Sequence, residues 1–290
     1  METGNDCLVC FLRQALATVR RSTSDPHLHW QLTAEVGAML ASFDPRTPPP
    51  ANAVHYYRLI AKRTGLRDPY AAEKQESNAF ALALEPRIRE LIHAEVDPLR
   101  AAVQFAINAN VLDYGAQHQL DRDTILHSCR QPPVIDHFSL LVQQLAGRPN
   151  ILYLADNCGE IVFDKLLIEL LLARGCRVTV AVRQDPIIND ATLEDAVLCG
   201  LDRLCPVITN GADAPGTPLS MCSDEFRRHF EAADCIISKG MGNFECLSDV
   251  PAPIFFLFLV KCSTVLAYLQ DRLDRTDLEI GSAVLLNSGL

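Results

Sequence analysis

The sequence predicts an α/β protein: a Rossmann-like parallel sheet with helices on both faces, preceded by an all-helical N-terminal region. Three observations predict it. The first half of the chain carries apolar residues at helical spacing, as in Leu8, Phe11, Leu12, Ala15, Leu16 and Val19. After Gly147-Arg148-Pro149 the pattern changes to short apolar runs alternating with amphipathic segments. Strand, helix, strand in that order builds a parallel sheet covered by helices. The expected division is a helical cap over residues 1–147 and an α/β region over 148–290.

The elements follow in order. Helices are expected over 7–20 and 28–40, stopping before Asp44 to Pro50, whose four prolines cannot continue a helix. Further helices cover 52–64, then 69–96 with a break or kink at Pro86, then the mostly apolar 98–112. Strands are expected at 151–155, 177–182, 206–209, 235–238 and 254–260. Helices lie between them at 161–173 (closed by Gly175), near 191–198 and at 224–231.

Composition narrows the function. At 49% hydrophobic and 21% charged residues, the 290-residue chain can build an ordinary core. Its net charge of -10 speaks against a nucleic-acid partner, which needs a basic surface. The longest apolar run, Ile254 to Val260, is too short for a membrane span. Eleven cysteines without a secretory leader point to free thiols in the cytoplasm. Cys7-x-x-Cys10 supplies only two of the four ligands zinc wants and is expected to be an inert helical pair. His27-x-His29 is expected in a turn-like surface segment. The oligomeric state is left open.

Ligands of open parallel sheets sit beyond the carboxyl ends of the strands, and here those ends are polar. The first strand runs into Asp156-Asn157-Cys158-Gly159-Glu160, the second into Arg183 and then Asn189-Asp190. The third reaches Thr209-Asn210-Gly211, and the fourth Ser238-Lys239-Gly240-Met241-Gly242-Asn243. An Asp-Asn pair after a strand also serves as a turn or helix cap, and Lys-Gly-x-Gly alone is a weak loop signal. It is the convergence of four segments on one edge that indicates a site. Asp156, Asn157 and Asp190 offer hard oxygen ligands of the kind a divalent cation takes. Lys239 would add a cation for a phosphoryl group, and Gly240 and Gly242 would let backbone amides approach anionic oxygens.

These residues resemble a known family. Leu154-Ala155-Asp156-Asn157-Cys158-Gly159-Glu160-Ile161-Val162-Phe163-Asp164 is similar to the signature of the damage-control phosphatases, or domain of unknown function 89. Lys239-Gly240-Met241-Gly242-Asn243-Phe244-Glu245 resembles that family's KGQGNFE motif. Asp68-Pro69-Tyr70 with Lys74, Asn78 and Ala81-Leu82 is similar to its DPY helix, and Asn110-Val111-Leu112-Asp113-Tyr114-Gly115 to its GNxIDFG segment. Cys7 to Gln14 resembles the start of the prokaryotic, cysteine-bearing branch. Cys158, Met241 and Ala109 depart from the motifs, where the family has alanine, glutamine and glycine.

The resemblance implies a helical domain on a Rossmann-like domain, with one divalent metal (manganese, magnesium, cobalt or nickel) held by Asp156, Asn157 and Asp190. It implies a phosphatase acting on a small phosphorylated metabolite, such as a sugar phosphate or a damaged phosphometabolite. Asp156 and Lys239 would be the catalytic residues. Asn78, Asn110, Asp113, Arg183, Gly240, Gly242 and Asn243 would face the substrate or its phosphate, with a structural hydrogen-bonding role an equal reading for Asn78, Asn110 and Asp113. The sheet alone also permits a methyltransferase, although the first strand is not followed by a glycine fingerprint. A non-catalytic metal- or phosphate-binding regulator is the third reading.

Overall fold

In the computed structural model, which describes residues 1–109 and 126–289, five helices come first. They are α1 (Asn5–Ser22), α2 (Pro26–Met39), α3 (Pro49–Thr64), α4 (Ala71–Ala94) and α5 (Pro98–Asn108). No strand occurs among residues 1–109, but β1 at Ile135–Asp136 falls within the region expected to be all helical. α3 starts with prolines in its first turn and ends at Gly65 with φ 72°, a conformation that suits glycine. α4 runs through Pro86 without a break. His27 and His29 lie in the first turn of α2 rather than in a turn, because Asp25 accepts the His27 backbone N–H and caps that helix.

The rest of the chain builds one sheet. Its strands are β1 (Ile135–Asp136), β2 (Asn150–Leu154), β3 (Arg177–Val182), β4 (Val207–Thr209), β5 (Cys235–Lys239), β6 (Ile254–Leu259) and β7 (Ala283–Asn287). Between them lie α6 (Phe138–Ala146), α7 (Glu160–Ala173), α8 (Leu193–Leu198), α9 (Asp224–Ala232), α10 (Met241–Leu247) and α11 (Ser263–Leu273). The spatial order is β1-β7-β6-β5-β2-β3-β4. β2 to β6 are parallel, as the sequence predicts. β7 is an addition: it pairs antiparallel with β6 and takes the two-residue β1 in parallel on its far side. The segment after Lys239, read as a loop from its glycines, is the helix α10.

Strand alternation divides the core. Ile151, Tyr153, Cys235 and Ile237 face a layer that includes α4, α5 and α7. Leu152, Leu154 and Ile236 face the opposite layer, with Phe226, Phe244 and Val265 from α9, α10 and α11. α4 and α5 therefore share their core with the sheet. α1, α2 and α3 form a smaller cluster around Phe11, Leu32, Val36, Tyr56 and Ile60, joined by Ile187 from the loop after β3.

The sheet order fixes where a ligand can enter. From β2 the chain winds through β3 to β4 on one side, then returns to place β5 on the other side of β2. The carboxyl ends of β2 and β5 thus flank a topological switch point, where helices diverge and leave a crevice.

Candidate metal-binding active site

Two loops are laced together above that crevice. The Ala191 N–H donates to the Asp156 carbonyl at 2.7 Å, and the Cys158 N–H donates to the Asn189 carbonyl at 2.9 Å. Asn157 and Asp190 form an isolated antiparallel bridge. This short ladder draws Asp156, Asn157 and Asp190 to one spot. Ile188, two residues earlier, sits at φ 39°, a conformation a β-branched residue rarely adopts. Strain in the loop that delivers Asp190 is the kind a fold retains at a site.

The carboxylates are buried around a guanidinium. Asp156 is 7% exposed, Asn157 5% and Asp190 1%. Arg183, itself 1% exposed, donates from Nε to Asp190 Oδ2 at 2.6 Å and from a terminal nitrogen to Asp156 Oδ1 at 3.2 Å. Burial and then the Asp190 charge push the Asp156 carboxyl well above the usual range, and Arg183 offsets this only in part. Burial also raises Asp190, against the pull of Arg183.

Gly240, at φ 78°, lies directly against Asp156: a Cβ there would be 1.9 Å from Asp156 Oδ2. Only glycine lets β5 turn into α10 this close to the carboxylate.

A second buried network stands behind the first. Asn157 donates from Nδ2 to Glu160 Oε1 at 2.8 Å, which commits its nitrogen and leaves its oxygen as the atom suited to a cation. Lys239 Nζ donates to Asp164 Oδ1 at 2.8 Å and to Glu160 Oε2 at 3.3 Å. Tyr153 donates to the same Asp164 oxygen at 2.7 Å. Four buried carboxylates (Asp156, Glu160, Asp164, Asp190) thus face two buried cations, Arg183 and Lys239. That excess of negative charge, with three oxygen-bearing side chains side by side, fits a hard divalent ion.

Asp156, Asn157 and Asp190 open into a cavity of about 320 Å³, within the usual range for small-molecule sites. Its other wall comes from α1 and α3, with Phe11, Tyr56 and Tyr57. Lys261, just past β6, is exposed at the rim. Glu245 from α10 also lines it, its carboxyl pushed up to about 7 by burial against the pull of the N-terminal ammonium and Lys261.

The whole arrangement has relatives. A family model described as the damage-control phosphatase ARMT1-like domain matches residues 3–276. The chain belongs to the damage-control phosphatase family. It is similar to a damage-control phosphatase of Archaeoglobus fulgidus, 35% identical over 267 residues, which cover 89% of this chain and 92% of that one. An uncharacterized protein of Methanocaldococcus jannaschii is 32% identical over 298 residues, covering 97% and 94%. The crystal structure of a family protein from Pyrococcus horikoshii superposes with a TM-score of 0.88, covering 99% of both chains at 30% identity. The helical half is therefore part of the shared architecture. The named relatives support a phosphatase role.

Within this damage-control phosphatase fold, several motif residues sit apart from the cavity. Asn78 is fully buried, accepts the Gly159 N–H at 2.8 Å and donates to Asp195 Oδ1 at 3.0 Å. It clamps the turn into α7 to the start of α8, and Lys74 joins the same cluster through Asp195 and Asp68. Asn243 donates to the Lys239 and Ala155 carbonyls and accepts from Thr217, so both its ends are taken. Lys239 points into the α7 layer, toward Asp164. Gly242 lines the cavity, whereas Arg183 is spent on the two aspartates. Asn110 and Asp113 lie outside the described residues.

Sequence reasoning passed over three features. Lys261 follows the fifth predicted strand, so the strand-end rule that named the others would have found it. Glu245 stood in a quoted motif without a role. Cys7 and Cys10, read as an inert helical pair, line the cavity as free thiols. Cys158, by contrast, is buried and donates to the Asp190 carbonyl at 3.8 Å. Among the described residues, no helix is long and apolar enough to cross a membrane.

Proposed function

We propose that this chain is a divalent-metal-dependent phosphatase that hydrolyses phosphate monoesters of small metabolites. One observation carries the reading: Asp156, Asn157 and Asp190 meet at the switch point of the sheet and open together into one cavity. Those three side chains would hold the ion, with Glu160 orienting Asn157 and Arg183 orienting both aspartates. A divalent ion there supplies Lewis-acid polarisation of a phosphoryl oxygen.

The chain's own groups do the rest. Lys261 at the rim attracts a phosphate dianion and offsets part of its charge in a protein of net charge -10. Glu245, titrating near neutrality, holds a proton at the cavity wall that can pass to a leaving oxygen. Water is the attacking group in this scheme. Asp156, tied to Arg183 and pressed on Gly240, lacks the freedom to attack phosphorus itself.

The test is turnover of small phosphomonoesters after chelation, with manganese, magnesium, cobalt and nickel restored singly. Asp190→Asn should abolish both ion binding by equilibrium dialysis and metal-stimulated turnover, with the fold retained. Full activity in chelator, or a fully active Asp190→Asn protein, would overturn the reading. Metal binding without turnover of any ester would favour the regulator.

A further inference from the structure

We propose that Lys74 and Asn78, one turn apart on α4, are positioning residues that hold the two ligand-bearing loops in place and so set the affinity of the site for a divalent ion. The proposal rests on the metal reading above and adds that a helix of the N-terminal half, not the sheet alone, fixes the ligands. Neither side chain lines the cavity, and both are buried, Asn78 completely and Lys74 to 5% exposure.

Their contacts land at matching places in the two loops. Asn78 Oδ1 accepts the Gly159 N–H at 2.8 Å, two residues after Asn157 in the loop that follows β2. Gly159 leads into α7 and brings no capping side chain of its own. It sits at φ 79°, with α4 so close that a Cβ there would be 3.2 Å from both the Cβ and the backbone carbonyl oxygen of Ser77. The other end of the same carboxamide, Asn78 Nδ2, donates to Asp195 Oδ1 at 3.0 Å. Asp195 caps α8: its Oδ2 accepts the Thr192 N–H at 2.9 Å and the Thr192 hydroxyl at 2.7 Å, two residues after Asp190. Lys74 Nζ completes the cluster, 3.1 Å from Asp195 Oδ2 and 3.3 Å from Asp68 Oδ2.

One carboxamide thus reaches both loops, and a spacing of four residues puts the ammonium that faces Asp195 on the same side of α4. The backbone ladder from Ala191 to Asp156 and from Cys158 to Asn189 orders the loops relative to each other. The α4 cluster ties that pair to the rest of the fold. Without it the ion itself would have to order the loops, and that ordering subtracts from its affinity. A buried amide with both ends taken, and a buried ammonium between two carboxylates, impose the order before any ion arrives.

Equilibrium dialysis of manganese(II) against the full chain tests the proposal. Asn78→Ala and Lys74→Met should each bind the ion about 10–100-fold more weakly than the wild type, the range for groups that orient metal ligands. Each should regain near wild-type kcat on p-nitrophenyl phosphate, with KM unchanged, once manganese is saturating. Two variants guard against one failing to fold. Ile88→Ala loosens α4 further along, in the shared core, and should melt lower while binding manganese as the wild type does.

Variants at Asn78 and Lys74 that melt lower yet bind manganese normally would overturn the proposal. Normal binding with a raised KM would place Asn78 against the substrate and overturn it as well. Equal weakening in Ile88→Ala would overturn the assignment to these two side chains. A wild type that binds no manganese would remove the metal reading and this proposal with it. The expected weakening without turnover of any ester would support the positioning role and remove the phosphatase reading.

Discussion

Replacing Lys239 with methionine separates a structural cation from a phosphate contact. Lys239 is 1% exposed, and its ammonium is bonded to Asp164 and Glu160, which are equally enclosed. Burial alone would drive the ammonium to lose its proton, but Asp164 and Glu160 outweigh it and hold the charge. Methionine matches the stem and removes the charge, which leaves two buried carboxylates facing each other. Removing one partner of a buried ion pair costs about 3–5 kcal/mol. For a protein of 290 residues that lowers Tm by about 5–8 °C.

A second effect follows through Glu160. Released from Lys239, Glu160 no longer fixes Asn157, so divalent-ion affinity should fall by about 10–100-fold, as for other groups that orient metal ligands. Thermal melts and equilibrium dialysis read the two effects. Adding Asp164→Leu should recover part of the lost Tm, because an apolar replacement of both partners is tolerated. The reasoning is refuted if Lys239→Met melts with the wild type, binds metal normally and loses only kcat. In that case Lys239 reaches the phosphate, as the sequence motif suggests.

Two further predictions concern the same crevice. Gly240→Ala should cost both stability and metal-stimulated turnover, since its Cβ would overlap Asp156 at 1.9 Å and its φ is 78°. Gly200→Ala is the milder comparison: its φ is also 78°, but its ψ of 20° lies in the left-handed helical region with nothing within 4 Å, so it carries a backbone cost of about 1–2 kcal/mol alone. Equal effects of the two changes would refute the Asp156 contact. Glu245 sets a pH dependence. Folded protein keeps the Glu245 proton up to about 7, while the unfolded chain releases it near 4.5. Its contribution is therefore present at low pH and lost as pH rises between those values, by about 3 kcal/mol at most. Melts from pH 4.5 to 7.5 should show Glu245→Gln with a flatter profile than the wild type, and parallel profiles would contradict it.

The convergence of Asp156, Asn157 and Asp190 was legible in the sequence because it depends only on element order. Consecutive parallel strands put their carboxyl ends on one edge, so the loops after β2 and β3 must meet. The five helices and the parallel strands were legible for a similar reason, since each rests on local periodicity. β7 was not, because nothing local in Ala283–Asn287 says which neighbour it joins or in which direction.

The direction of each polar side chain was decided by the tertiary structure. Lys239 ends a strand and looked aimed at the edge, yet it shares the pleat side of Cys235 and Ile237 and so points into the layer of α7. Asn78 and Asn243 carry the same groups a substrate would want, but buried backbone needs those groups just as much. The stripe holding Phe11, like the apolar face of Tyr56 and Tyr57, reads alike whether it meets a core or a cavity. Those rings are core of the α1–α3 cluster, and only the packing of α1 and α3 over the crevice brings the edge of that core to the cavity. Periodicity records which residues leave water, whereas what they meet depends on chain segments far away in sequence.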